Sequence, residues 1–142
     1  MSLFGAMAVS ASGMSAQRRR AELLVENLAN AETTRTPEGG PYRRKDAVFA
    51  TQPEAASFAS QLDAELQQGV TVDDIVVDSR EPERRYQPGH PDADAKGYVA
   101  YPAINPVEEM TDLLGAVRAY ELNAAAVQAA KNMIQQSLDL LR

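Results

Sequence analysis

The chain has 142 residues, a net charge of −6, 44% hydrophobic residues, and neither Cys nor Trp. That length suits one modest domain, and the acidic balance argues against bulk attraction to nucleic acid. The absence of Cys excludes disulfides, thiolate metal sites and thiol catalysis, and no apolar run approaches the ~18 residues that span a bilayer.

Residues 1–31 read as one helix. An apolar stripe keeps alternating steps of four and three through Leu3, Met7, Ser10, Met14, Gln17, Ala21, Leu24, Leu28 and Ala31. This is the period of helices that wrap around partners. Asn30 is the expected end, because Asn tolerates a left-handed cap. The first 17 residues carry no charged side chain and have the look of a secretory signal, but Arg18, Arg19 and Arg20 follow the apolar stretch instead of preceding it. A chain of this type that leaves the cytoplasm is expected to do so without a cleaved signal peptide.

A loop follows from Thr33, where Pro37 and Pro41 forbid helix and Gly39 and Gly40 permit positive φ. The period then changes. Residues 42–50 and 70–78 read as strands, the second rich in β-branched Val, Thr and Ile. Residues 54–68, Ala-rich and ended by Gly69, read as a short helix or ordered loop. Arg84–Tyr86 and Tyr98–Tyr101 read as a hairpin around a turn-rich segment 87–97.

Asn105, Pro106 and Glu108 form a helix start: a cap, a proline at the first helical position and a capping-box acid at the third. The helix runs to Arg142, with a stripe through Met110, Leu113, Val117, Tyr120, Ala124, Val127, Lys131, Ile134, Leu138 and Leu141. At 1.5 Å per residue the two end helices are roughly 45 and 55 Å long, against an average of about 11–12 residues. The expectation is an α+β chain. Residues 1–34 and 105–142 pair as a helical coiled-coil domain, and 35–104 form a small β-rich domain inserted between them. Such ends also suit pairing with neighbouring copies, which is the plan of an assembly subunit.

Candidate chemistry is sparse. His90, Asp92 and Asp94 invite a metal reading, but Asp and Pro also dominate ordinary turns, and the spacing matches no ligand signature. Glu108 is explained by capping, and Glu109 and Glu121 by a charged helix face. Gly39 and Gly40 lack the Lys and Ser/Thr of a phosphate loop. The basic clusters at residues 18–20, 43–45 and 84–85 read as solvated or partner-facing bands. Catalytic, cofactor and metal residues are therefore expected to be none. Ser10, Gln17 and Lys131 interrupt the stripes, and a polar seam residue can fix register.

Several motifs together resemble one family. Ser12 to Arg18, then Glu26-Asn27-Leu28-Ala29-Asn30-Ala31-Glu32-Thr33-Thr34, is similar to the N-terminal signature of bacterial flagellar rod and hook axial proteins. Gly40, Pro41, Tyr42 and the basic residues after them follow as in proximal-rod members. Pro88, Gly89, His90, Pro91, Asp94, Gly97 and Tyr98 resemble a mark of one proximal-rod member, as do Glu109, Met110, Tyr120 and Asn123. The resemblance covers almost the whole chain except about residues 51–68.

It implies a structural, non-enzymatic subunit of the basal-body rod, exported by the flagellar type III apparatus and assembled in the periplasm near the MS ring. The implied neighbours are copies of itself, the proximal-rod proteins B and F, the distal-rod protein G and the rod-base protein E. The terminal helices would form the wall of a torque-transmitting tube. Two alternatives accompany this reading: a self-contained helical adaptor or periplasmic binding module, and, within the family, proximal-rod protein B.

Overall fold

A computed structural model describes residues 3–51 and 69–140. The order is α1 (Leu3–Ala29), β1 (Lys45–Thr51), β2 (Val70–Val77), β3 (Glu83–Tyr86), β4 (Tyr98–Tyr101) and α2 (Pro106–Asp139). The chain is α+β, with two long helices and two small antiparallel sheets. The expected helix or loop at 54–68 and the stripe residue Leu141 lie outside the described residues.

α1 does not end on a left-handed Asn. No described residue other than glycine has positive φ. Instead the Asn30 side chain donates to the Glu26 carbonyl at 2.9 Å, and Ala31 N–H bonds Leu28 O in a tightened last turn. At the start of α2 the Asn105 and Pro106 part of the expected cap forms, while no bond from the Glu108 side chain closes a capping box among the described residues. Asn105 is extended, and its Oδ1 accepts from Val107 N–H at 3.1 Å, with Pro106 opening α2.

β1 pairs with β2 from Lys45↔Val77 to Thr51↔Val70, with a register shift between Val48 and Phe49. β3 pairs with β4 from Glu83↔Tyr101 to Tyr86↔Tyr98. Each sheet has two strands, a unit marginal in water unless it packs on something else. The first sheet leans on α1, where Val70 N–H donates to Ser12 Oγ at 3.0 Å. The second contributes Val99 and Tyr101 to the buried core, together with Tyr42, Pro102 and Ile104. Only residues 102–105 join β4 to α2, and two of those four are buried.

Candidate functional site: the helix seam and its polar hub

α1 and α2 run antiparallel, because ascending positions on one meet descending positions on the other. Gly13 lies against Asn123, Arg20 pairs with Asp112 at 3.6 Å, and Asn27 bonds Glu109. A Cβ at Gly13 would come within 3.1 Å of the Asn123 amide, so glycine lets the helices approach there. The seam keeps the expected seven-residue period: Gly13, Arg20 and Asn27 on α1, with Glu109, Ala116, Asn123 and Ala130 on α2. On both helices these positions sit one residue ahead of part of the stripe, Met14, Ala21 and Leu28 on α1 and Met110, Val117 and Ala124 on α2, while the stripe's Leu24 is buried and its Leu113, Val127 and Ile134 are half-buried.

The hub closes one end of this seam. Asn27 is fully buried and Glu109 is 2% exposed. Asn27 Nδ2 donates to the Lys45 carbonyl at 2.9 Å and to Glu109 Oε2 at 3.0 Å. Its Oδ1 accepts from the Tyr42 hydroxyl at 3.0 Å and from Lys45 N–H at 2.9 Å. Both donors and both acceptor sites of the amide are thus used. The other Glu109 oxygen accepts from Arg44 Nε, and Arg44 also reaches Asp46. Lys45 Nζ pairs with Glu26 at 2.6 Å. The hub therefore ties α1, the lead into β1, and α2 together.

Electrostatics follow from that geometry. Burial, reinforced by the negative charges of Glu26 and Glu109, pushes the Tyr42 phenol up to about 12. Burial alone would lower Arg44, but the hydrogen-bonded carboxylates of Glu109 and Asp46 outweigh it and raise the group. With all four hydrogen bonds of the Asn27 amide and both Glu109 oxygens engaged within the chain, the arrangement holds elements together.

The 87–98 segment is an ordered loop. Asp94 Oδ1 accepts from the N–H groups of Lys96 (2.7 Å) and Tyr98 (2.9 Å), which lowers its carboxyl below the usual range. Asp92 accepts from the Thr34 hydroxyl at 2.8 Å and lies 3.8 Å from Arg35, docking the loop on the 33–36 bend. His90 Nδ1 accepts from Asp92 N–H at 3.1 Å. His90 and Asp94 thus serve the turn and Asp92 its docking, and among the described residues no cluster of three or more His, Cys, Asp or Glu could hold a metal. Pro88, Gly89 and Pro91 are exposed on this loop, as Gly40 is on the earlier one, while Pro41 is half-buried.

The remaining stripe residues divide. Leu24 is buried; Met7, Met14, Gln17, Ala21, Leu28, Ala31, Leu113, Ala124, Val127 and Ile134 are half-buried. Leu3, Met110, Val117, Tyr120 and Leu138 are exposed. Sequence reasoning missed Arg44 and Lys45 as hub members, although both sit in the basic motif after Tyr42.

The chain is similar to the flagellar basal-body rod protein FlgC of Borreliella burgdorferi, at 39% identity over 100% of this chain and 99% of the relative. It is 38% identical to FlgC of Bacillus subtilis, over 99% of each chain. The chain belongs to the flagellar basal-body rod protein FlgC family. FlgC of Escherichia coli O6:H1 is 38% identical over 99% of this chain. Residues 95–140 also match the model of the flagellar basal body rod FlgEFG protein C-terminal region, a stretch that contains β4 and all of α2. The FlgC family is named for a structural component of the flagellum and not for a catalytic activity.

Proposed function

We propose that this chain is a structural subunit of the proximal rod of the bacterial flagellar basal body. It polymerises through its terminal helices into the drive shaft that carries torque from motor to hook. The observation that carries this reading is the outward face of α2. Val107, Met110, Leu114 and Val117 recur at steps of three and four and are 70, 58, 61 and 42% exposed. An uncovered apolar stripe of heptad spacing is a surface for another helix.

In this reading residues 1–34 and 105–142 are the axial helices of a coiled-coil wall, and 35–104 form the β-rich unit inserted between them. The neighbours are further copies and the rod proteins B, F, G and E, close to the MS ring. The subunit reaches the periplasm through the flagellar type III export apparatus without a cleaved signal peptide.

The test is Val117→Asp beside Leu24→Asp. Val117 is exposed, so its Asp variant is expected to fold within about 0.5 kcal/mol of the parent yet fail to enter the rod, abolishing motility. Leu24 is 2% exposed, so Leu24→Asp is expected to unfold the subunit outright. Normal swimming with Val117→Asp removes this stripe from the interface.

A further inference from the structure

Side chains alternate across a strand, so each two-stranded sheet has an inward and an outward face. In β1–β2 the cross-strand pairs Asp46↔Val76 and Val48↔Asp74 lie outward. Val48 is 41% and Val76 48% exposed, and both Asp residues are exposed beside them. In β3–β4 the outward pairs are Arg84↔Ala100 and Tyr86↔Tyr98, while the alternate pairs turn Val99 and Tyr101 into the core. Tyr86 is 65% exposed and Tyr98 43%.

The two outward faces are unlike and complementary. The first is acidic. Asp46 is paired with Arg44, but Asp74, whose Oδ1 accepts from Ile75 N–H, forms no salt bridge among the described residues. The second carries Arg84, which also forms no salt bridge among the described residues. Asp94 is the acid nearest in its influence, and its Oδ1 accepts from two N–H groups of its own turn. Shape matches as well. A recess of about 320 Å³ opens beside Val76, with Asp46, Val77 and Asp78 in its lining, and Tyr86 stands out from its own sheet. Asp74 and Val76 are two residues apart on β2, as Arg84 and Tyr86 are on β3. Both intervals are about 7 Å along the strand. A ring from Tyr86 in the recess at Val76 therefore brings Arg84 to Asp74.

We propose that the outward face of β3–β4 docks on the outward face of β1–β2 of a second copy, with Tyr86 against Val76 and Arg84 against Asp74. An apolar centre with an opposite-charge pair at its rim gives such a contact both attraction and register. The faces differ and each copy has one of each. The contact is thus head-to-tail and runs on from copy to copy instead of closing a two-fold dimer. It offers four residues a side, against roughly 20–30 in a stable interface. It therefore orients neighbours that other surfaces bring together. That those other surfaces are the terminal helices rests on the rod-subunit reading above; the match of the two sheets does not.

A contact this small is read by trapping it. The experiment uses the full chain with Arg84→Lys, which keeps the charge and supplies an amine. Light and heavy isotope-labelled chains are mixed in equal amounts, concentrated, and treated with a carbodiimide, which joins an amine to a touching carboxylate with loss of water. A peptide linking position 84 to Asp74 is expected, with light–heavy links as frequent as same-isotope links, the mark of a bond between chains. Tyr86→Ser is expected to lower its yield about tenfold. Val76→Thr on the facing sheet is expected to lower it too, without touching the hairpin.

If other Lys–carboxylate links form and 84–74 does not, the proposal is overturned. Links of 84–74 within one isotope only, or a yield unchanged by both Tyr86→Ser and Val76→Thr, overturn it as well. If Tyr86→Ser unfolds the hairpin, Val76→Thr alone decides. The link is read on purified chain without a rod. Its failure leaves the rod reading standing, and normal swimming with Val117→Asp leaves the link standing.

Discussion

Asn27 and Gln17 are amides on the same helix with opposite fates. Every polar atom of Asn27 has a partner, whereas Gln17 Oε1 is buried without one. A buried acceptor without a hydrogen costs roughly 1–3 kcal/mol. Gln17→Met keeps the length and removes the orphan, so the isolated subunit is expected to gain about 1 kcal/mol, or roughly 2–4 °C in a thermal melt. Tyr42 makes a pH prediction. Its proton is held more tightly in the folded chain than in the unfolded one, whose phenol titrates near 10.0. The linked stability is therefore complete below pH 10 and is lost as the pH rises towards 12. Melting temperature is expected to fall over that window. Tyr42→Phe is expected to be less stable at neutral pH, having lost the bond to Asn27, but to decline less steeply between pH 10 and 12. The sequence flagged Asn27, Tyr42 and Glu109 as motif residues without their roles, because Asn27 and Glu109 stand 82 positions apart and nothing local links them.

At the scale of elements, much of the fold was legible because its signals are local. Asn105 and Pro106 announced α2, and strand composition placed all four strands, β3 and β4 as a hairpin. The heptad period was legible too, and Leu113, Ala124, Val127 and Ile134 of the α2 stripe are half-buried, but the buried positions of Glu109, Ala116 and Ala130 were not read. A stripe reading turns the largest apolar residues inward, and here Met110 and Val117 face out while Ala116 and Ala130 are buried. Small residues permit close helix approach, as Gly13 does against Asn123. The metal-like reading of 90–94 and the turn reading share the same residues; the observed bonds give His90 and Asp94 to the turn and the Asp92 carboxylate to Thr34 and Arg35. That turn supplies its own test. Gly97 has φ +81°, and a Cβ there would stand 2.9 Å from the Tyr86 ring. Gly97→Ala is expected to cost about 1–3 kcal/mol, read from the urea midpoint. It is also expected to disturb the Tyr86–Tyr98 edge contact, whose centroids lie 5.4 Å apart, visible as lost dispersion of those ring signals by NMR.

Over the whole molecule, two of the joints between chain ends and chain middle among the described residues bear on α2. The hub fastens the 42–45 segment to both helices, and residues 102–105 fasten β4 to α2. The second joint is short and embedded, with Pro102 and Ile104 buried and Asn105 already capping the helix. A coupling this short stores little elastic slack. A push on the β3–β4 hairpin passes into α2 almost as through a solid lever, and a twist of α2 swings the hairpin with it. Inserting Gly-Ser-Gly after Ala103 adds compliance at that point. In tethered cells, motors built with such a subunit are expected to lag and stall at lower viscous load than the parent. Unchanged rotation under load would show that the hairpin lies outside the path of force. If the lag appears, residues 102–105 set the rate at which this part of the shaft answers a change in drive.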